Sequence, residues 1–388
     1  MIYLHRPKLQ KKTILESKKV LKSNWISSGG KHIDLFENKL KKIVGTKFAV
    51  SFSNCTSSLH IALKLSGANK DTDVLLPSTS FIASANSILY NNSNPFFLDI
   101  GEDLNLNIDK AIDFLNNKTF KKKNYTFNKI TNRKISSFLV VHVFGTPLKK
   151  IHALKKKCEE KNIYLIEDCA ESLGSRYKNK NKYKHTGTFG DISCFSFNGN
   201  KIVTAGSGGM LCTNSKILSD KARYLSTTAK DDYYDFTHND LGYNFRISNI
   251  NACIGYSELK NLNKILKKKL SIFKEYKNQL KNEKRIKLIN YEDSSHQSNF
   301  WLIVVKFKSK IDLKKKFMQF SKKNFFETRS VWKLLYLQKF LKHFNSSECK
   351  SSKNLIKNCF CLPSGTDLKK SDIKKISNKI KIFIREQN

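Results

Sequence analysis

Residues 189–211 read FGDISCFSFNGNKIVTAGSGGML. The apolar run DISCFSF delivers Ser196, a tight turn over residues 198–200 presents Lys201, and a second run, GGMLCT, follows. Gly206, Gly208 and Gly209 permit close approach of the backbone just before that second run. Two short apolar runs joined by small residues read as neighbouring strands of one sheet. The chain carries 72 Lys+Arg, so charge alone singles out no lysine. Lys201 differs from the rest in its setting: it stands among apolar and small turn residues, as a desolvated amine nucleophile should.

Working outward, five more strand candidates precede this stretch: FAVSFS, DVLLPS, NPFFLDI, SSFLVVHVFG and IYLIEDCA. Between about residues 45 and 215 such runs alternate with helix-like segments, which predicts an α/β fold, a mainly parallel central sheet sandwiched by helices. Open sheets of this kind bind ligands at the carboxyl ends of their strands. Residues 117–133, NKTFKKKNYTFNKITNR, are basic and without clear periodicity, and read as a surface excursion. From about Asn249 a long helical pattern leads out of the sheet region. Beyond it, SNFWLIVVKF reads as a strand, IDLKKKFMQFSKK as a helix and the tail from Ser371 as a final amphipathic helix. The expected division is a large domain over 1–250 and a small C-terminal α/β domain over 251–388. The extreme N-terminus is expected to pack on the small domain.

The formal charge of +40 invites a nucleic-acid reading. Against it, the lysines are spread along the whole chain in company with Asn, Ile and Phe, and no zinc-finger spacing or RNP-like aromatic run accompanies them. No nucleic-acid partner is therefore expected. Nine cysteines with no apolar leader ahead of them suggest a reducing, cytoplasmic setting, and no stretch is apolar enough to span a bilayer. The CxC of Cys359 and Cys361 lacks further ligands at metal spacing, so no metal is expected.

Two more stretches carry chemistry. In NCTSSLHIALKLSG, residues 54–67, small hydroxyl residues open a helix after a strand, which offers either an anion site suited to a phosphate or an ordinary N-cap. In IEDCAESLG, Asp168 follows an apolar strand and Glu171 lies three residues on. Such a carboxylate is costly to bury unless it meets a cation; the alternative is an acidic cap for a following helix.

Taken together, NWISSGG, NCTSSLHIAL, PSTSFIASANSI, VVHVFGTP, IEDCAESLGS, FSFNGNKIVTAGSGGM, DLGYNFRISNINACIG, ETRSVW and LPSG resemble the DegT/DnrJ/StrS sugar-nucleotide aminotransferases, over essentially the whole chain. The resemblance implies the pyridoxal-phosphate-dependent fold type I, with pyridoxal 5'-phosphate as cofactor, Lys201 as its Schiff-base lysine and Asp168 as the partner of its pyridine nitrogen. It implies Phe81 stacked on the ring, Glu171 beside the ring hydroxyl, and Thr56, Ser57 and Ser196 on the phosphate. Asn244 is implied to reach the phosphate from the other subunit of a homodimer with shared active sites. Trp25, Arg246, Arg329 and Trp332 fall in motifs that lie near substrate. The wording of FSFNGNK, LSTTAK and HNDLGYNFR is most similar to enzymes that aminate UDP-4-keto-6-deoxy-N-acetylglucosamine with L-glutamate; GDP- or dTDP-linked keto sugars are the alternatives. A sugar dehydratase of this family would carry histidine in place of Lys201. Cys55, where the family has glycine, and Ser207, where it has glycine or an acidic residue, depart from the pattern.

Overall fold

The computed structural model describes every residue except Lys180, Asn181, Tyr233 and Asn388. Seven strands of the large sheet follow the order Phe48–Phe52, Gly209–Thr213, Ile192–Ser196, Tyr164–Asp168, Lys134–Val141, Thr72–Pro77 and Asn94–Leu98. From Ile192–Ser196 to Asn94–Leu98 all neighbours pair in parallel, as expected of long crossovers. Gly209–Thr213 runs antiparallel to both its neighbours, because the segment joining it to Ile192–Ser196 holds no helix to carry the chain back. The strands are buried on both faces: Leu75, Leu76, Phe138 and Leu139 are fully enclosed. That is why they read as continuous apolar runs rather than as an alternation.

Residues 117–133 are more ordered than the sequence suggested. They form a hairpin, Thr119–Lys122 with Tyr125–Asn128, whose Phe127 pairs with Lys134 at the start of the interior strand Lys134–Val141. Phe120 stacks on Phe127 on one side, and Thr126 is buried with its hydroxyl donating to Lys161 O. The run of lysines masked this pattern.

The long helical pattern from Asn249 is two helices, Asn249–Leu259 and Leu262–Leu280. At the break Asn261 N donates to Glu258 O (2.9 Å), closing a three-residue turn, and the Asn261 side chain reaches Ser257 O (3.3 Å). Glu258 is buried there, accepting from Gln10 N and Thr13 Oγ1.

A second, antiparallel sheet orders its strands Ile286–Leu288, Ile303–Phe307, Cys359–Leu362 and Arg329–Ser330. Phe307, Phe317, Phe326, Phe360 and Phe383 pack edge to edge between it and the helices Lys314–Lys323 and Lys370–Arg385. Ile2 pairs with Phe326 and Leu4 N donates to Glu327 Oε2 (3.0 Å), so the first residues lie along this unit. The strand expected over SNFWLIVVKF covers only Ile303–Phe307. Ahead of it Phe300 takes a left-handed φ of 52°, and Asn299 turns its side chain to Glu171 O and Leu173 O. No described helix is long and apolar enough to cross a membrane.

Candidate active site

A cavity of about 470 Å³ opens where the carboxyl ends of the central strands face the second sheet. Asp168, the last residue of its strand, is buried on the wall. Ser84 Oγ donates to its Oδ2 (2.8 Å) and Ala170 N to its Oδ1 (3.0 Å). Burial pushes its carboxyl up from the ordinary aspartate value, and these donors pull it back only in part. No helix starts after Asp168, so the capping alternative falls away. A buried carboxylate with two neutral donors still calls for a cation.

Glu171 lies on the same wall, its Oε2 accepting from Phe144 N (2.7 Å). Burial raises its carboxyl to about 7, against the attraction of Lys201. The Lys201 Nζ sits 3.6 Å from Glu171 Oε1 and 4.0 Å from the centre of the Trp301 ring. Phe144 holds its position through a left-handed φ of 54° and stacks on Trp332 (4.6 Å).

Across the cavity stands the N-terminus of the helix Cys55–Leu65. Asn54 caps it, accepting from Ser57 N (2.9 Å) and Ser57 Oγ (3.1 Å). The cap is present, made by Asn54 and Ser57, while Asn54, Cys55 and Thr56 form part of the cavity wall. Ser57 is buried behind that wall rather than on it. The first-turn N–H groups that the helix cannot use leave a positive end here. Gly209 lets this end come so close: a methyl group on it would sit 2.3 Å from Asn54 O. Ser196, at the end of its strand, completes this side.

Phe81, Arg329 and Trp332 also line the cavity, with the Phe81 ring edge-on to Trp332 at 6.1 Å. Arg329 pairs with Glu327 (2.9 Å). Three candidates lie elsewhere. Trp25 is largely exposed, its carbonyl accepting from Asn249 Nδ2 (2.6 Å). Asn244 is exposed, and Arg246 buries its Nε without a partner. The sequence reading missed Ser84, Phe144 and Trp301, although all three lie inside stretches it had marked. Phe144 and Trp301 are aromatics beside turn-forming residues, the one trace of their role in the sequence.

Behind Asp168, His142, Glu167 and Cys169 cluster closely enough to hold a metal ion. Their capacity is already used. Leu148 N donates to His142 Nδ1 (3.1 Å), which leaves the ring proton on Nε2, directed at Glu167 Oε2 (2.9 Å). Glu167 also accepts from the N–H groups of Gly187, Phe189 and Gly190.

The donor set fits pyridoxal phosphate: an amine, a buried acid that lacks a cation, and an anion-binding helix end on one cavity. Residues 7–381 match the model of the DegT/DnrJ/EryC1/StrS aminotransferase family. The chain is 32% identical over 375 residues to EpsN of Bacillus subtilis (strain 168), covering 95% of this chain and 92% of that protein. It is 34% identical to the GDP-perosamine synthase of Vibrio cholerae, covering 72% of this chain and 71% of that one. Among solved structures, the aminotransferase TlmJ from Streptoalloteichus hindustanus superposes over 100% of both chains (TM-score 0.89, 22% identity). PseC of Helicobacter pylori, an aminotransferase involved in the biosynthesis of pseudoaminic acid, superposes over 99% of both (TM-score 0.87, 23% identity). The fold is thus the type I fold of pyridoxal-phosphate enzymes, and the chain belongs to the DegT/DnrJ/EryC1/StrS aminotransferase family.

Proposed function

We propose that this protein transfers an amino group from L-glutamate to the keto carbon of a 4-keto-6-deoxy sugar nucleotide, UDP-2-acetamido-2,6-dideoxy-4-ketohexose, with pyridoxal phosphate as cofactor. The observation that carries the reading is the placement of Lys201, 3.6 Å from Glu171 on the cavity that Asp168 and the Asn54-capped helix end also line. When bound, the cofactor supplies an electron sink for the carbon from which a proton is removed. Asp168 would hold the pyridine nitrogen protonated, with Ser84 keeping that carboxylate ionised and aimed. Thr56, Ser196 and the helix end would hold the phosphate, Phe81 would stack on the ring, and Lys201 would bear the cofactor at rest. When free, the Lys201 amine would remove the proton from the donor α-carbon and, in the second half reaction, return one to the sugar C4. Glu171, raised to about 7, accepts or releases a proton beside it near neutrality. Kinetics are ping-pong.

The UDP-linked sugar is favoured by the wording of FSFNGNK and HNDLGYNFR. A GDP-linked keto sugar is the second reading, favoured by the likeness to GDP-perosamine synthases. The test is mass spectrometry of products from purified protein, glutamate and a side-by-side panel of UDP, GDP and dTDP keto sugars. A 4-amino product from the UDP sugar is expected, and Lys201→Ala must abolish it. Normal turnover by Lys201→Ala would end the reading.

A further inference from the structure

Trp301 precedes the strand Ile303–Phe307, yet its ring lies against the lysine of the opposite sheet. Every polar group of the residue has a partner. Its N–H donates to Asn299 Oδ1 (2.9 Å), and its indole Nε1 donates to the carbonyl of Asn200, the residue just before Lys201 (2.7 Å). Its own carbonyl accepts from Ser364 Oγ (2.9 Å) and from Lys269 Nζ (2.7 Å). Lys269 is itself unusual. It is fully buried, its amine donates to two carbonyls, those of Trp301 and Ser364, no described carboxylate pairs with it, and burial pushes its pKa well below the ordinary lysine value. A lysine is expensive to bury in this way. Here it ties two backbone carbonyls together, and one of them is that of Trp301.

We propose that Trp301 is a positioning residue for Lys201, its indole face holding the amine whenever the amine is free of the cofactor, with Lys269 fixing that face in place. The inference rests on Lys201 being the cofactor-bearing lysine. An aromatic face attracts an ammonium and has little affinity for a neutral amine. It therefore favours the form of Lys201 that carries a proton from one carbon to the next. It also offers a hold on the amine besides Glu171, so the amine is not confined to one ion pair. Asp168, Cys55 and His5 are the other titratable groups within reach of the Lys201 charge.

The test needs no sugar substrate. Competitive acylation of the full-length, cofactor-free protein at one fixed pH, read at Lys201 by mass spectrometry, gives the rate at which its amine is modified. Trp301→Leu is expected to raise that rate roughly threefold to tenfold, the size of a lost cation–π contact. Trp301→Phe, which keeps a ring face but no indole N–H, should reverse at least half of the rise. Should Trp301→Leu fail to fold, Lys269→Met, which removes one of the two donors to the Trp301 carbonyl, must change the rate in the same direction. An unchanged rate in the folded Leu variant, or a Phe variant that rises as far as Leu, overturns the proposal. Failure of the transaminase reading would show separately, as Lys201→Ala turning over normally.

Discussion

Two carboxyls flank Lys201 on the cavity, Asp168 and Glu171, and each is raised by burial. Glu171 is raised from 4.5, the value of a free glutamate, to about 7. A carboxyl raised on folding contributes stability that is present below 4.5 and is lost as pH climbs to about 7. Glu171→Gln should remove that fall. In urea titrations of the cofactor-free protein, the difference in stability between variant and parent should grow in the variant's favour from pH 5 to about pH 8; a constant difference counts against the raised value. Ser84→Ala strips a donor from buried Asp168 and should cost about 1.5–3 kcal/mol. Cofactor affinity, measured by titrating pyridoxal phosphate, should drop roughly tenfold or more with it. The places of Asp168 and Lys201 on the cavity were legible in the sequence because Asp168 ends its strand and Lys201 follows the turn after the next one. Ser84 and Trp301 were not, since their roles depend on contacts 84 residues and 101 residues away along the chain.

At the scale of elements, the phosphate end that we propose depends on a helix N-terminus seated on a glycine. In Gly209→Ala the new methyl would collide with Asn54 O, so the helix end must move away. The expected result is a large loss of cofactor affinity, with stability lowered by about 1–3 kcal/mol; unchanged affinity would argue against this seat. The alternation of strand and helix was readable because enclosed parallel strands are apolar throughout. The hairpin at residues 119–128 was hidden by its lysines, and the break at Asn261 by an apolar period that runs on across it. In both, a few tertiary hydrogen bonds decide what composition leaves open.

Across the whole molecule, the cavity is closed by two sheets, and the phenylalanine cluster keeps the second one rigid. Phe317→Ala should cost about 3–5 kcal/mol, seen as a lower urea midpoint. Asn244 lies away from the cavity of its own chain, which suits service to a partner's. Mixing Lys201→Ala with Asn244→Ala chains should restore activity that neither variant has alone, because one mixed site keeps both residues; no recovery on mixing would mean the sites are not shared.

The placement of the indoles has an optical consequence. The chain has three tryptophans; Trp301 and Trp332 line the cavity, and Trp25 is exposed to water. A ring that absorbs in the near ultraviolet, bound in that cavity, will drain the emission of the first two and spare the third. Loading the protein should therefore dim its fluorescence and redden what remains, a built-in gauge of occupancy that needs no added dye.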